Sequence, residues 1–127
     1  MSTILKLCQD IPVRTVEPGT VLLAEGIKDG TLCVLAGGEV EILKGEFQVN
    51  TVSEPGAVFG EMSLLLGSAH TATVRARTRC RVHVIAEGEA FLRSNSDVAY
   101  DLLKTMAGRL RGVTNHLTDL NRYIHAM

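Results

Sequence analysis

Phe59-Gly60-Glu61-Met62-Ser63-Leu64-Leu65-Leu66-Gly67-Ser68-Ala69-His70-Thr71-Ala72-Thr73-Val74 reads as a glycine-marked strand end, one short helical turn, a small loop and the start of a new strand. The first N–H groups of such a turn have no partner within it and carry partial positive charge, which makes a cradle for an anion. A carboxylate at its mouth, Glu61, is unsuited to a phosphate and suited to the hydroxyls of a sugar. Phosphate donors beside a sugar-binding carboxylate point to a nucleotide.

On both sides of this stretch, from Arg14 to Ile85, short β-rich runs are broken by turn signals: Pro18-Gly19, Glu25-Gly26, Asp29-Gly30, Gly37-Gly38, Lys44-Gly45 and Pro55-Gly56. Many short strands at this spacing imply a β-sandwich or roll. Alternation is visible in Leu32-Cys33-Val34 and in Val40-Glu41-Ile42, where the carboxylate is expected to face water. From Val74 to Val84 it places Val74, Ala76, Cys80, Val82 and Val84 on one face. Arg75, Arg77, Arg79, Arg81 and His83 fall on the other. A turn near Thr78 is expected to divide that run into two strands, so the arginines read as a solvated sheet face and not as a continuous basic stripe.

The ends of the chain change period. Residues 3–9 pattern as a short amphipathic helix capped by Ser2 or Thr3, with Ile4, Leu5 and Cys8 inward. Glu87 to Ser94 reads as a short helix, and Asn95-Ser96-Asp97 supplies a fresh cap for a long one. In that last helix Leu103, Met106, Leu110, Val113, Leu117, Leu120 and Ile124 recur at alternating steps of three and four. Ala99 extends the series one step back. A helix lying on its own sheet shows a wider stripe drifting at period 3.6. The strict seam favours a partner helix, hence a parallel homodimer through the C-terminal helix, although its first turns must also cover the sheet. Gly108 and Gly112 inside it each cost about 1 kcal/mol relative to alanine, and they either admit a closely packed second helix or mark a point of flexure.

The 127 residues suffice for one domain with a core of its own, and 46% hydrophobic content argues against disorder. A net charge of −1 lacks the basic footprint of a direct nucleic-acid binder. Cys8, Cys33 and Cys80 are odd in number and show no Cys-x-x-Cys spacing, so they read as reduced thiols of a cytoplasmic protein. No signal peptide or membrane-spanning run is evident, so no membrane role is expected.

The opening stretch resembles the phosphate-binding cassette of the cyclic nucleotide-binding domain family, the sensor module of catabolite-activator-type regulators, protein kinase regulatory subunits and gated channels. The family pattern is Phe-Gly-Glu, any residue, Ala/Ser-Leu, a short loop, then Arg and Ser/Thr/Ala-Ala-Thr-Val. Phe59, Gly60, Glu61, Ser63, Leu64, Thr71, Ala72, Thr73 and Val74 match it. Gly19-Thr20-Val21-Leu22, Glu25-Gly26, Leu32 and Gly38 keep the spacing of the family's early strands. The resemblance implies a mainly β fold with flanking helices. That fold is an eight-stranded double-stranded β-helix or jelly roll over 13–86, with the cassette at 59–74, an N-terminal helix in 1–12 and C-terminal helices in 87–127.

The resemblance also implies a ligand site. Gly60 would let the backbone approach the ligand. Glu61 would accept from the ribose 2′-hydroxyl. The N–H groups of Met62 and Ser63 would face the cyclic phosphate, as would those near Thr71 and Ala72, with the Thr71 hydroxyl beside them. Phe59 completes the pattern. Thr114 falls near the place where a residue of the last helix covers the base. Met62, Leu64 and Leu65 read otherwise as core or pocket wall.

His70 departs from the pattern: it stands where the family has its arginine, nine residues after Glu61. A guanidinium grips two phosphate oxygens with permanent charge, whereas imidazole offers one donor toward a ligand and has an ordinary pKa of about 6.5. Loss of a charged partner of this kind costs roughly 2–5 kcal/mol in buried complexes, tens- to thousands-fold in affinity. Ala69 also replaces a frequent proline, and Ala57 stands where an aspartate is common. Three readings therefore stand. A cyclic nucleotide, cyclic AMP or cyclic GMP, binds weakly or with His70 protonated by the phosphate's own field. Alternatively, the pocket takes another ligand or none, and the domain is a dimerising interaction module. The third, a cupin-type metal enzyme, needs a His-x-His pair that the scattered His70, His83, His116 and His125 do not supply.

An enzyme is thus not expected, nor is a cofactor or a metal. The implied role is a regulatory module that senses its ligand and signals through the long helix to an unidentified protein partner. The family's regulators carry a helix-turn-helix after that helix. With the sequence ending at Met127, direct DNA binding by this chain is not expected unless it is a fragment of a longer product.

Overall fold

The computed structural model describes residues 3–126. Four helices and eight strands follow one another: α1 (Thr3–Leu7), β1 (Val13–Val16), β2 (Val21–Leu23), β3 (Leu32–Gly37), β4 (Val40–Lys44), β5 (Phe47–Val52), β6 (Val58–Phe59), α2 (Glu61–Leu66), β7 (Thr73–Ala76), β8 (Cys80–Ile85), α3 (Gly88–Ser94) and α4 (Ser96–Ala126). The strands form two antiparallel four-stranded sheets, ordered β1-β8-β3-β6 and β2-β7-β4-β5. This is the expected eight-stranded roll with a long last helix. The 74–84 run breaks between Ala76 and Cys80, and its halves enter different sheets.

Two apolar layers hold the fold together. Leu23, Cys33, Leu35, Val40, Phe59, Val74, Ala76, Cys80 and Val82 fill the space between the sheets. Ile4, Cys8, Leu32, Val34, Val58, Ile85, Leu92, Val98 and Leu102 fill a second layer, between the first sheet and the helices. The alternation in Leu32-Cys33-Val34 therefore separates two buried faces, not a dry face from a wet one. His83 follows the same rule and corrects its assignment to the solvated face. It is buried, and its Nδ1 donates to the Ile11 carbonyl at 3.0 Å where α1 covers the sheet.

The arginines beside it stay outside. Arg75 pairs with Glu41 on the neighbouring strand, and Arg77 with Glu39 and Arg79 with Glu17 in the turns between strands, so these three charges are answered locally. Glu41 consequently keeps only 13% of its side chain exposed, less open than its alternation implies.

At the C-terminal end the expected cap divides its work. Asn95 Nδ2 donates to the Phe91 carbonyl at 2.8 Å and closes α3, while the Asn95 carbonyl accepts the Ala99 N–H and opens α4. Val98 and Leu102 dock α4 on the body. The seam residues Leu103, Leu110, Val113, Leu117, Leu120 and Ile124 lie exposed, and Met106 is half-buried. At the N-terminus α1 buries Ile4 and half-buries Leu5; the helix stops at Leu7, short of the expected residue 9, and Cys8 is buried in the turn that follows. Its Ser2 cap lies outside the described residues. No helix among the described residues is long and apolar enough to cross a membrane.

Candidate functional site

The site begins where β6 stops. Gly60 takes a φ of 95°, and a Cβ there would lie 2.4 Å from the Thr31 carbonyl oxygen, so both conformation and space demand glycine. The turn launches α2, whose first intrahelical bond runs from the Leu64 N–H to the Gly60 carbonyl at 3.2 Å. The N–H groups of Glu61, Met62 and Ser63 precede that bond and are the helix's orphan donors. Gly67, at φ 63°, ends the helix. The Ser68 N–H bonds to the Ser63 carbonyl at 3.0 Å, and the Ser63 hydroxyl donates to the Ser68 carbonyl. That hydroxyl braces the loop and is not aimed at a ligand.

In front of this turn lies a cavity of about 320 Å³, within the size range of small-molecule sites. Phe59, Gly60, Glu61, Met62, Ser63, His70, Thr71 and Ala72 all line it, with an apolar back wall of Leu23, Ile42, Val52, Val58 and Val74. Eight of the nine expected site residues are thus gathered around one space. Thr114 is not among the lining residues; it lies exposed on α4, where its carbonyl accepts the Thr118 hydroxyl.

His70 is buried and already engaged. Its Nε2 donates to Asp29 Oδ1 at 2.8 Å, leaving 3% of the histidine side chain and 40% of the aspartate exposed. The loop around it is clamped by backbone bonds, His70 N–H to the Ile27 carbonyl at 3.0 Å and Gly26 N–H to the His70 carbonyl at 2.8 Å. Partial burial pushes the Asp29 carboxyl up, but the hydrogen bond from His70, that from the Thr31 N–H and the His70 charge together hold it below its ordinary 3.8. The Asp29-Gly30 dipeptide reads in sequence as a turn and nothing more, so this partner escaped notice.

Glu61 is also paired. Only 8% of its side chain is exposed, and Oε1 accepts from Arg109 Nη1 at 3.3 Å. Arg109 reaches in from α4 and lines the cavity, with 61% of its own side chain in solvent. Sequence reasoning missed it. The available signal was weak: a cation three residues beyond Met106 on a helix already expected to cover the site. A second cavity of about 320 Å³ lies between α4 and the 54–58 turn, and Glu61 and Arg109 form part of its wall too.

These groups can recognise a ligand rich in hydroxyls that carries an anion. The carboxylate takes hydroxyl donors, while backbone N–H groups, the imidazole and the guanidinium offer donors in return.

Comparison with known proteins bears on the fold and the family. The model of the family described as the cyclic nucleotide-binding domain matches residues 13–93. A cAMP-dependent protein kinase regulatory subunit of Yarrowia lipolytica is 34% identical over 83 residues, 65% of this chain but 22% of that protein. The chain therefore spans about a fifth of that relative's length. The catabolite activator protein of Thermus thermophilus superposes with a TM-score of 0.74 at 24% identity, over 93% of this chain and 58% of that one. The N-terminal domain of a transcriptional regulator from Streptomyces coelicolor gives a TM-score of 0.62 at 27% identity, over 87% and 81% of the two chains.

Proposed function

The chain belongs to the cyclic nucleotide-binding domain family, and we propose that it is a regulatory, non-enzymatic sensor whose cavity takes a cyclic nucleotide and whose output is the state of α4. The observation that carries this reading is the placement of Gly60 and Glu61. The glycine opens the backbone at the start of α2, and the withdrawn carboxylate lies beside orphan N–H donors in one cavity. The name of the Yarrowia relative favours cyclic AMP over cyclic GMP. A ligand there would touch Arg109 and thus α4 directly, biasing helix arrangements by its differential affinity for them. The exposed seam supports a second copy as the partner of α4.

One observation favours a second reading. His70 is satisfied by Asp29, so the phosphate grip of the cassette is reduced, and the domain would then serve as an interaction module with another ligand or none. Titration calorimetry with cyclic AMP and cyclic GMP, on wild type and His70→Arg, separates the two. Binding by wild type is expected if the cassette still holds a cyclic nucleotide. Binding gained only by the arginine variant identifies a cassette that has lost its ligand. Silence from both overturns the nucleotide reading.

A further inference from the structure

We infer that Asp29 is a positioning residue that fixes the tautomer of His70, so that the cavity holds a cyclic phosphate only by taking up a proton at His70 Nδ1. The inference rests on the nucleotide reading above. His70 Nε2 and Asp29 Oδ1 are 2.8 Å apart, and only 3% of the histidine side chain is exposed. An ionised carboxylate can only accept, which places the Nε2 proton toward Asp29. The loop holds the ring in that pose, because the His70 N–H and carbonyl are bonded across to Ile27 and Gly26.

Nδ1 is what remains for a guest. It has no partner among the described residues, yet none of their buried side-chain nitrogens or oxygens is left unpaired. Nδ1 therefore keeps an opening, and the ring lines the cavity. A neutral imidazole carries one N–H, and Asp29 has claimed it, so Nδ1 presents a lone pair. The oxygens of a cyclic phosphate are acceptors as well, and two acceptors cannot bond. A proton from solvent on Nδ1 makes a donor for the phosphate, while Asp29 answers the imidazolium charge from the far side. The charged groups around the ring are Asp29 from the β2–β3 loop, Glu61 from α2 and Arg109 from α4, and the last two are engaged with each other.

Two measurements at pH 8, above the ordinary imidazole value, test this. Calorimetric titration with cyclic AMP and cyclic GMP in HEPES and in Tris, buffers of different ionisation enthalpy, counts the protons taken up per ligand. Nitrogen-15 NMR of the histidine rings shows which nitrogens carry them. Wild type is expected to take up about one proton per cyclic nucleotide, with His70 protonated at Nε2 alone before binding and at both nitrogens after. Asp29→Asn should take up less than about half as much, because its amide can donate to Nε2 and leave a neutral ring with its N–H at Nδ1. His70→Arg, charged throughout, should take up none. Binding by wild type without uptake, or to a ring already doubly protonated, overturns the inference and leaves the nucleotide reading standing. Equal uptake by wild type and Asp29→Asn also overturns it and makes Asp29 merely structural, as does loss of binding in that variant. Uptake by His70→Arg overturns it too, by placing the proton elsewhere. Failure of wild type to bind either cyclic nucleotide overturns the nucleotide reading itself, and this inference with it.

Discussion

His70 Nε2 stands 2.8 Å from Asp29 Oδ1, so the imidazole that replaces the family's arginine is held by the protein's own carboxylate. The folded pKa of Asp29 is depressed, so its contribution to stability is present above the ordinary 3.8 and lost as pH falls through the lower folded value. Asp29→Asn should therefore cost stability at pH 7 and converge on wild type in acid. The side chain is 40% exposed, which keeps the effect at about 1 kcal/mol or less. Urea denaturation at both pH values measures it, and a pH-independent difference would contradict the pairing. In His70→Gln, carbon-detected NMR should find Asp29 titrating nearer 3.8.

Two kinds of glycine should respond in opposite directions. Gly60→Ala forces a left-handed alanine against the Thr31 carbonyl and is expected to cost more than about 2 kcal/mol. Gly108→Ala and Gly112→Ala meet open space on α4 and should each stabilise the chain by up to about 1 kcal/mol. Thermal melts of the three variants decide this. Losses at 108 or 112, accompanied by a change in oligomeric state, would instead mark a closely packed second helix.

The seam on α4 predicts a homodimer. Leu110 and Leu117 are 68% and 60% exposed in the single chain, so replacing both with lysine should leave the fold within about 0.5 kcal/mol of wild type. The elution volume in size-exclusion chromatography should nonetheless move from dimer to monomer. An unchanged volume counts against the seam.

Cys33 offers a test of the layer between the sheets. Burial, reinforced by the Asp29 charge and opposed by Arg14, pushes its thiol from 9.0 up to about 12. A folded value raised in this way gives stability that is complete below 9 and lost as pH rises toward 12. Wild type should lose more stability between pH 8 and 10.5 than Cys33→Ala does. In the native state Cys8, Cys33 and Cys80, all buried, should resist a thiol reagent that labels the urea-unfolded chain.

The roll and most of its site were legible because they depend on local rules. Turn dipeptides mark the strand ends, and the Phe59–Val74 stretch carries nine lining residues within itself. Reading failed where a second layer of structure intervenes. Period-two alternation assumes one wet face, whereas β3 and the end of β8 are covered on both sides, which is why His83 is inside. Arg109 is 48 residues from Glu61, and its reach depends on how Val98 and Leu102 seat the helix, which no local pattern encodes. The same gap separates Thr114, placed near the site by resemblance, from its exposed position along the helix.

β6 consists of two residues, and they face opposite ways: Val58 belongs to the layer beneath the helices and Phe59 to the layer between the sheets. Both also line the cavity. A molecule that presses on this strand therefore loads both halves of the interior at once, through side chains joined by a single peptide bond. Such a molecule would therefore touch, through one short strand, a side chain of each apolar layer, including the layer that seats Val98 and Leu102 of α4.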